Sequence, residues 1–167
     1  MEILKIKENI FRFNVCPLSR WDMYCYLVVR KHHSYLIDTG CGKNDVEEIL
    51  KYIKENHLKK DVIVINTHYH WDHIWGNRYA GASKIISSVE CYRQIRKNFD
   101  TMLEKNREYI NGGAEMCLPD KTFVKHLSLD GFYFFVSPGH TVDQISIYDE
   151  INKVLFVGDN IGDNETE

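Results

Sequence analysis

The spacing of apolar residues changes period repeatedly along the chain, and each change marks an element. Residues 2–7 and 10–15 alternate or run apolar around Glu8-Asn9, which predicts a first hairpin. Cys16-Pro17-Leu18-Ser19-Arg20 breaks the pattern and predicts a loop. Tyr24 to Val29 is dense in aromatic and branched residues and predicts a strand. Arg30-Lys31-His32-His33 is a polar turn, its histidines solvated, and Ser34 to Asp38 is the returning strand. Gly40 and Gly42 permit a tight turn. A helix is expected from about Asp45, capped by Asn44 with Glu47 as capping-box partner. Val46, Ile49, Leu50 and Ile53 fall at i, i+3, i+4 and i+7, so the helix lays one apolar stripe on a sheet. It frays near Asn56-His57. Asp61 to Asn66 is the next strand, and strand, helix, strand in this order implies a parallel crossover.

Further on, Ile74-Trp75-Gly76-Asn77 is expected to open a short helix, and Lys84 to Ser87 a short strand. Val89 to about Tyr109 predicts an amphipathic helix with Ile95, Phe99, Met102 and Leu103 on one face, ended by Gly112-Gly113. Residues 121–129 and 132–137 read as one hairpin joined by Asp130-Gly131. Ile145 to Tyr148 and Lys153 to Val157 read as another around Glu150-Ile151-Asn152. His126 lies within a strand and His57 near a helix end, so both are assigned to structure. The tail from Asn160 is polar and acidic and offers nothing to a core.

One stretch breaks the pattern of scattered polar residues. His68-Tyr69-His70-Trp71-Asp72-His73 follows the buried run Val62-Ile63-Val64-Ile65 directly after Asn66-Thr67. Two residues apart in extended backbone, His68 and His70 face one side; Asp72 continues that side and His73 turns off it. A lone histidine is usually structural. Three with an aspartate are costly to keep together without a cation, because protonated neighbours repel. Imidazole nitrogens and carboxylate oxygens are ligands that zinc accepts. Trp71 and Trp75 either wall a cleft beside this stretch or simply pack.

Composition narrows the classes. The chain has 167 residues, 44% apolar and 27% charged, which suits one folded domain over 1–167. A net charge of −3 gives no electrostatic case for nucleic acid. No apolar run approaches a membrane span, and the opening Met1-Glu2-Ile3-Leu4-Lys5 lacks the core of a signal peptide. Five cysteines without a CxxC read as reduced thiols of a cytoplasmic protein, Cys41 among them as small apolar filler.

The His68-x-His70-x-Asp72-His73 pattern after a buried strand resembles the metallo-β-lactamase superfamily. Leu36-Ile37-Asp38-Thr39-Gly40, Ser137-Pro138-Gly139-His140-Thr141 and Leu155-Phe156-Val157-Gly158-Asp159 are similar to that family's other motifs, in its order and over nearly the whole chain. The resemblance implies an α/β fold, an αβ/βα sandwich, here with its second half truncated. It implies that His68, His70 and His140 hold a first metal, that Asp72 and His73 hold a second, and that Asp159 bridges them. Asp38 would steady the ligands by hydrogen bonding. The cofactor is expected to be one or two zinc ions, with iron or manganese as alternatives. The reaction would be hydrolysis of a small-molecule thioester, lactone, lactam or phosphoester by a metal-activated hydroxide that Asp72 helps to steer, as in glyoxalase-II-like and lactamase-like enzymes.

Family members usually continue past the Gly-Asp motif with a helix, a strand and a last metal-binding histidine. Here eight residues follow Asp159 and no histidine follows His140. A weaker second metal site and an uncovered sheet face or edge are therefore expected, and with them a homo-oligomer. Two other readings stand beside hydrolysis. One is a metal-binding protein with little or no catalysis; the other is a mononuclear iron redox enzyme. Diiron relatives tend to replace the second histidine by glutamate, which His70 argues against.

Overall fold

In the computed structural model, which describes residues 1–18, 21–58 and 61–161, two β-sheets stack face to face and two longer helices flank the larger one. The larger sheet runs β1 (Glu2–Lys7), β2 (Ile10–Leu18), β3 (Trp21–Val29), β4 (Ser34–Ile37), β5 (Val62–Ile65), β6 (Lys84–Ser88) and β7 (Lys121–Phe123), in that spatial order. Its first four strands form an antiparallel meander, and β4 to β7 are parallel. The connections are α1 (Lys43–Glu55), the single turn α2 (Trp71–Ile74) and α3 (Val89–Lys105). The smaller sheet is antiparallel, β8 (His126–Leu129), β9 (Phe132–Val136), β10 (Ile145–Asp149) and β11 (Val154–Phe156), ordered β11-β10-β9-β8.

The apolar runs explain this layering. In β5, Val62 and Val64 point to the α1 side, where Val46, Ile49 and Ile53 pack, while Ile63 and Ile65 point between the sheets. Leu36 and Ile37 of β4 divide the same way. Strands buried on both faces need such uninterrupted apolar sequence. The space between the sheets is filled by Tyr35, Ile37, Ile63 and Ile65 against Phe132, Phe134, Ile145 and Ile147. The outer face of the smaller sheet leaves Tyr133 and Leu155 exposed.

Several expectations hold: the first hairpin, the parallel β4–β5 pair, the α1 and α3 stripes and the β10–β11 hairpin. Others need correction. Cys16–Leu18 is not a loop; β2 continues through it to the Leu18–Trp21 pair, with a register shift after Val15. Such an irregularity accommodates Pro17, which has no N–H for the ladder. Ser19 and Arg20 lie outside the described residues, as do residues 162–167 of the expected polar tail. Residues 121–129 are not one strand: β7 pairs with β6 and β8 with β9, so the chain changes sheets at Val124-Lys125. Helix α1 starts two residues early, at Lys43, with no side-chain cap. Carbonyls of Gly113 and Asn111 accept its first N–H groups, at 3.0 and 3.1 Å, and the Asn44 amide bonds Asn111 instead.

The polar turn after β3 also holds a surprise. Arg30 is buried and its Nη2 donates to Asp149 Oδ1 at 2.6 Å, with side chains only 6% and 0% exposed. Asp149 further accepts the N–H groups of Ile151 and Asn152 and the Asn152 amide. The guanidinium lies 4.6 Å over the Phe132 ring. This pair ties the meander to the smaller sheet. Removing one partner of a buried pair strands the other charge, so Arg30→Ala is expected to lower unfolding free energy by about 3–5 kcal/mol in urea titration. A loss below about 1 kcal/mol would show that the bond is dispensable.

Candidate metal centre

Parallel strands β4 and β5 end side by side, and the ligand-bearing stretch starts there. Asp38 follows β4 with φ of 60°, in the left-handed region, while its N–H still donates to Ile65 C=O at 2.8 Å. That turn points its carboxylate at the loop after β5. Asp38 Oδ1 accepts the Thr67 N–H at 2.8 Å; Oδ2 accepts the Thr67 hydroxyl at 2.7 Å and lies 2.9 Å from His73 Nδ1. Beneath, Asn66 and Asn77 exchange amide hydrogen bonds of 3.0 and 2.9 Å, and the Thr39 N–H donates to His73 C=O at 2.9 Å. The His73 backbone is thus gripped from below and its ring from the side.

His140 and Asp159 arrive from the smaller sheet. Ile145 N–H donates to Thr67 C=O at 2.9 Å, which docks the β9–β10 loop on the loop after β5. Asn160 Oδ1 accepts the His140 N–H at 2.9 Å and its amide donates to Ser137 C=O at 2.7 Å. The Gln144 amide donates to Val157 C=O at 2.9 Å. A Cβ on Gly139 would lie 2.3 Å from Asn160 Oδ1, so a larger residue there would displace the Asn160 amide.

Two overlapping groups of ligand atoms result, each within 4.8 Å: His68, His70 and His140, and His68, His73 and Asp159. His70 Nδ1 and His140 Nε2 stand 2.9 Å apart. Asp159 offers one oxygen to each group: Oδ1 lies 3.3 Å from His73 Nε2, and Oδ2 lies 3.9 and 3.7 Å from Nε2 of His68 and His140. His68 and His73 are buried, whereas His70, His140 and Asp159 reach the surface, so the cluster opens on that side.

The expected line of His68, His70 and Asp72 on one extended face does not form. Helix α2 begins at Trp71, earlier than predicted, and carries Asp72 beside His73, 3.9 Å from its Nε2. Asp72 falls outside both tight groups. Of the two tryptophans, Trp75 is fully buried, while Trp71 is half-buried and stacks on Tyr109 at 5.1 Å. His33 pairs with Asp61 and His126 stacks on Tyr133, both away from the cluster. Cys25, Cys41, Cys91 and Cys117 are not in disulfides; the side chain of Cys16 lies outside those described. Sequence reasoning missed Thr67 and Asn160. Each is a neutral residue directly adjoining a candidate ligand, and that adjacency was the available signal.

Burial, with the neighbouring His73, His70 and His140 rings, holds His68 well below the ordinary imidazole range. Burial and His140 lower His70. Burial opposes charge on His73 too, but the Asp38 and Asp72 carboxylates and the contact with Asp159 outweigh it and raise that ring well above the ordinary range. Burial acts to raise Asp159, and contact with His73 overcomes it and lowers the carboxyl. Among the described residues, the buried Nε2 atoms of His68 and His73 have no hydrogen-bond partner. Orphaned imidazole nitrogens facing a shared carboxylate are a donor set that fits a divalent cation of borderline softness.

The fold and this cluster define a class, and the comparisons agree. Residues 20–167 match the metallo-beta-lactamase superfamily, and the chain belongs to it. Proteins of this superfamily typically bind metal ions. The chain is 25% identical over 142 residues to a hydroxyacylglutathione hydrolase of Pelagibacter ubique, covering 84% of this chain and 52% of that protein. It is 21% identical to a metallo-beta-lactamase type 2 of Bacteroides fragilis, covering 99% of this chain and 64% of that one. It thus spans about half to two thirds of the length of these relatives. Among solved structures, DIM-1 metallo-beta-lactamase superposes with a TM-score of 0.74 at 20% identity, over 99% of this chain and 72% of that one. A metallo-beta-lactamase of Pontibacter korlensis gives 0.71 at 24% identity, over 99% and 74%. These likenesses show the αβ/βα sandwich. No helix among the described residues is long and apolar enough to cross a membrane.

Because Asp38 tethers one ligand ring directly, Asp38→Asn is expected to weaken zinc binding about 10–100-fold in chelator competition. Unchanged affinity would remove Asp38 from the centre.

Proposed function

We propose that this chain hydrolyses a small-molecule ester-like bond, a thioester, lactone, lactam or phosphoester, at a zinc centre built by the two groups described above. The observation that carries the reading is the position of Asp159, one oxygen toward each histidine group. His68, His70 and His140 would hold a first ion; His73, Asp72 and Asp159 a second, with Asp159 shared. When bound, such ions lower the pKa of water to about 7 and polarise the scissile carbonyl or phosphoryl group, so no serine or cysteine nucleophile is needed. Asp72, half-buried beside His73, orients the attacking water. The exposed sides of His70 and His140 set the approach of the substrate. Relatives that bear the names hydroxyacylglutathione hydrolase and metallo-beta-lactamase favour thioesters and lactams for the first assays. Cysteines outside disulfides suit a cytoplasmic setting.

A thioester and lactam panel tests the reaction. His68→Ala and Asp159→Asn are both expected to abolish turnover by the metal-loaded protein, and unchanged rates in both would exclude this site. Metal analysis after purification without added metal separates the alternatives. Roughly two zinc ions per chain support the hydrolase. One or fewer, without turnover, supports a binding protein, and coloured protein containing iron supports the redox reading.

Self-association belongs to the same proposal. The edge strand β1 of the larger sheet is exposed throughout, with Ile3, Leu4 and Ile6 at 40%, 47% and 42%, and an edge strand of the smaller sheet, β11, leaves Leu155 51% exposed. Open apolar edges pair with a second copy. Light scattering on the eluted protein is expected to give a dimer mass or above; a monomer ends the idea.

A further inference from the structure

We propose that the Thr67 hydroxyl decides which nitrogen of His68 faces the candidate metal centre, so that one carboxylate, Asp38, sets proton positions on both buried imidazoles. This rests on the metal-centre reading above and extends it to a residue outside the ligand set.

The argument is one of proton accounting. An ionised carboxylate only accepts hydrogen bonds, and a hydroxyl has one proton to give. Thr67 Oγ1 gives its proton to Asp38 Oδ2 at 2.7 Å. It can then only accept from its other partner, His68 Nδ1, at 3.1 Å. His68 therefore carries its proton on Nδ1, and Nε2 is left as a bare lone pair. That atom is buried, has no hydrogen-bond partner among the described residues and lies 3.9 Å from Asp159 Oδ2, and His68 belongs to both ligand groups. His73 is oriented without an intermediary: Nδ1 donates to the same Asp38 oxygen at 2.9 Å, and Nε2 turns to Asp159.

Packing confines the Thr67 side chain. It is fully buried. Gly158, at φ +53°, lies so close that a Cβ there would sit 3.0 Å from Thr67 Oγ1 and 3.1 Å from its Cβ. Thr67→Val keeps the branched shape and the backbone bond to Asp38 but turns a methyl toward His68 Nδ1. The His68 proton then moves to Nε2, on the side of the Asp159 carboxylate 3.9 Å away, and a protonated Nε2 cannot ligate. Thr67→Ser keeps the relay.

Nitrogen-15 spectra of the imidazoles in the metal-free 167-residue chain read the proton positions, and chelator competition with zinc reads affinity. Wild type and Thr67→Ser are expected to show His68 unprotonated at Nε2 and similar zinc affinities. Thr67→Val is expected to move that proton to Nε2, to leave the His73 signals in place and to lose about 10–100-fold in affinity. A wild-type His68 protonated at Nε2 overturns the proposal, even if Thr67→Val fails to fold. So does a folded Thr67→Val that binds zinc as tightly as wild type. A wild type that binds no zinc defeats the metal-centre reading instead, and the metal-free spectra still judge Thr67.

Discussion

Three hydrogen bonds converge on the carboxylate of Asp38, and the order of the larger sheet's share of the centre descends from them. Two come from Thr67, at the end of β5, and one comes from His73, on α2. A single side chain at the end of one strand therefore holds the next strand's loop and the helix that follows it. Because Asp38 is itself buried and in a left-handed backbone conformation, this arrangement persists only while the surrounding packing enforces it. Hydrogen bonds to a charged acceptor in such a place are among the stronger ones a protein makes. They also give each tethered ring a defined orientation, which is what a ligand needs before any cation arrives.

The scaffold makes the convergence possible. Parallel strands buried on both faces end at a common level, and crossover loops at that level place side chains in the same small volume. The smaller sheet brings its own two loops to that level because aromatic residues of β9 and isoleucines of β10 fill the space behind them. At the opposite end, Arg30 and Asp149 join the sheets through a buried ion pair. The molecule is thus held at both ends by polar contacts and along its length by apolar ones. The end that gathers histidines keeps an open side.

Much of this was legible along the chain, and the misses share a cause. Periodicity located α1, α3 and the strands of the meander, since a buried face must repeat every two or 3.6 residues whatever it packs on. It misplaced Asp72, because an extended ligand strip and one helical turn read alike over four residues. It merged β7 with β8, because a chain that leaves one sheet for another keeps its apolar alternation. It assigned Asn44 to a cap, a role that Asn111 and Gly113 make unnecessary through contacts some 67 residues away. Arg30 read only as part of a polar turn for a similar reason; its partner lies 119 residues on.

The identity of the ligands, the alternation of elements and the family likeness were all properties of the sequence by itself, because they depend on residue type and short spacing. Which oxygen of Asp159 faces which histidine, why Thr67 matters and where Asp72 stands were decided only in three dimensions. The physical reason is that a hydrogen bond is made between groups meeting in space. Distance along the chain carries little information about that meeting until the sheets have packed.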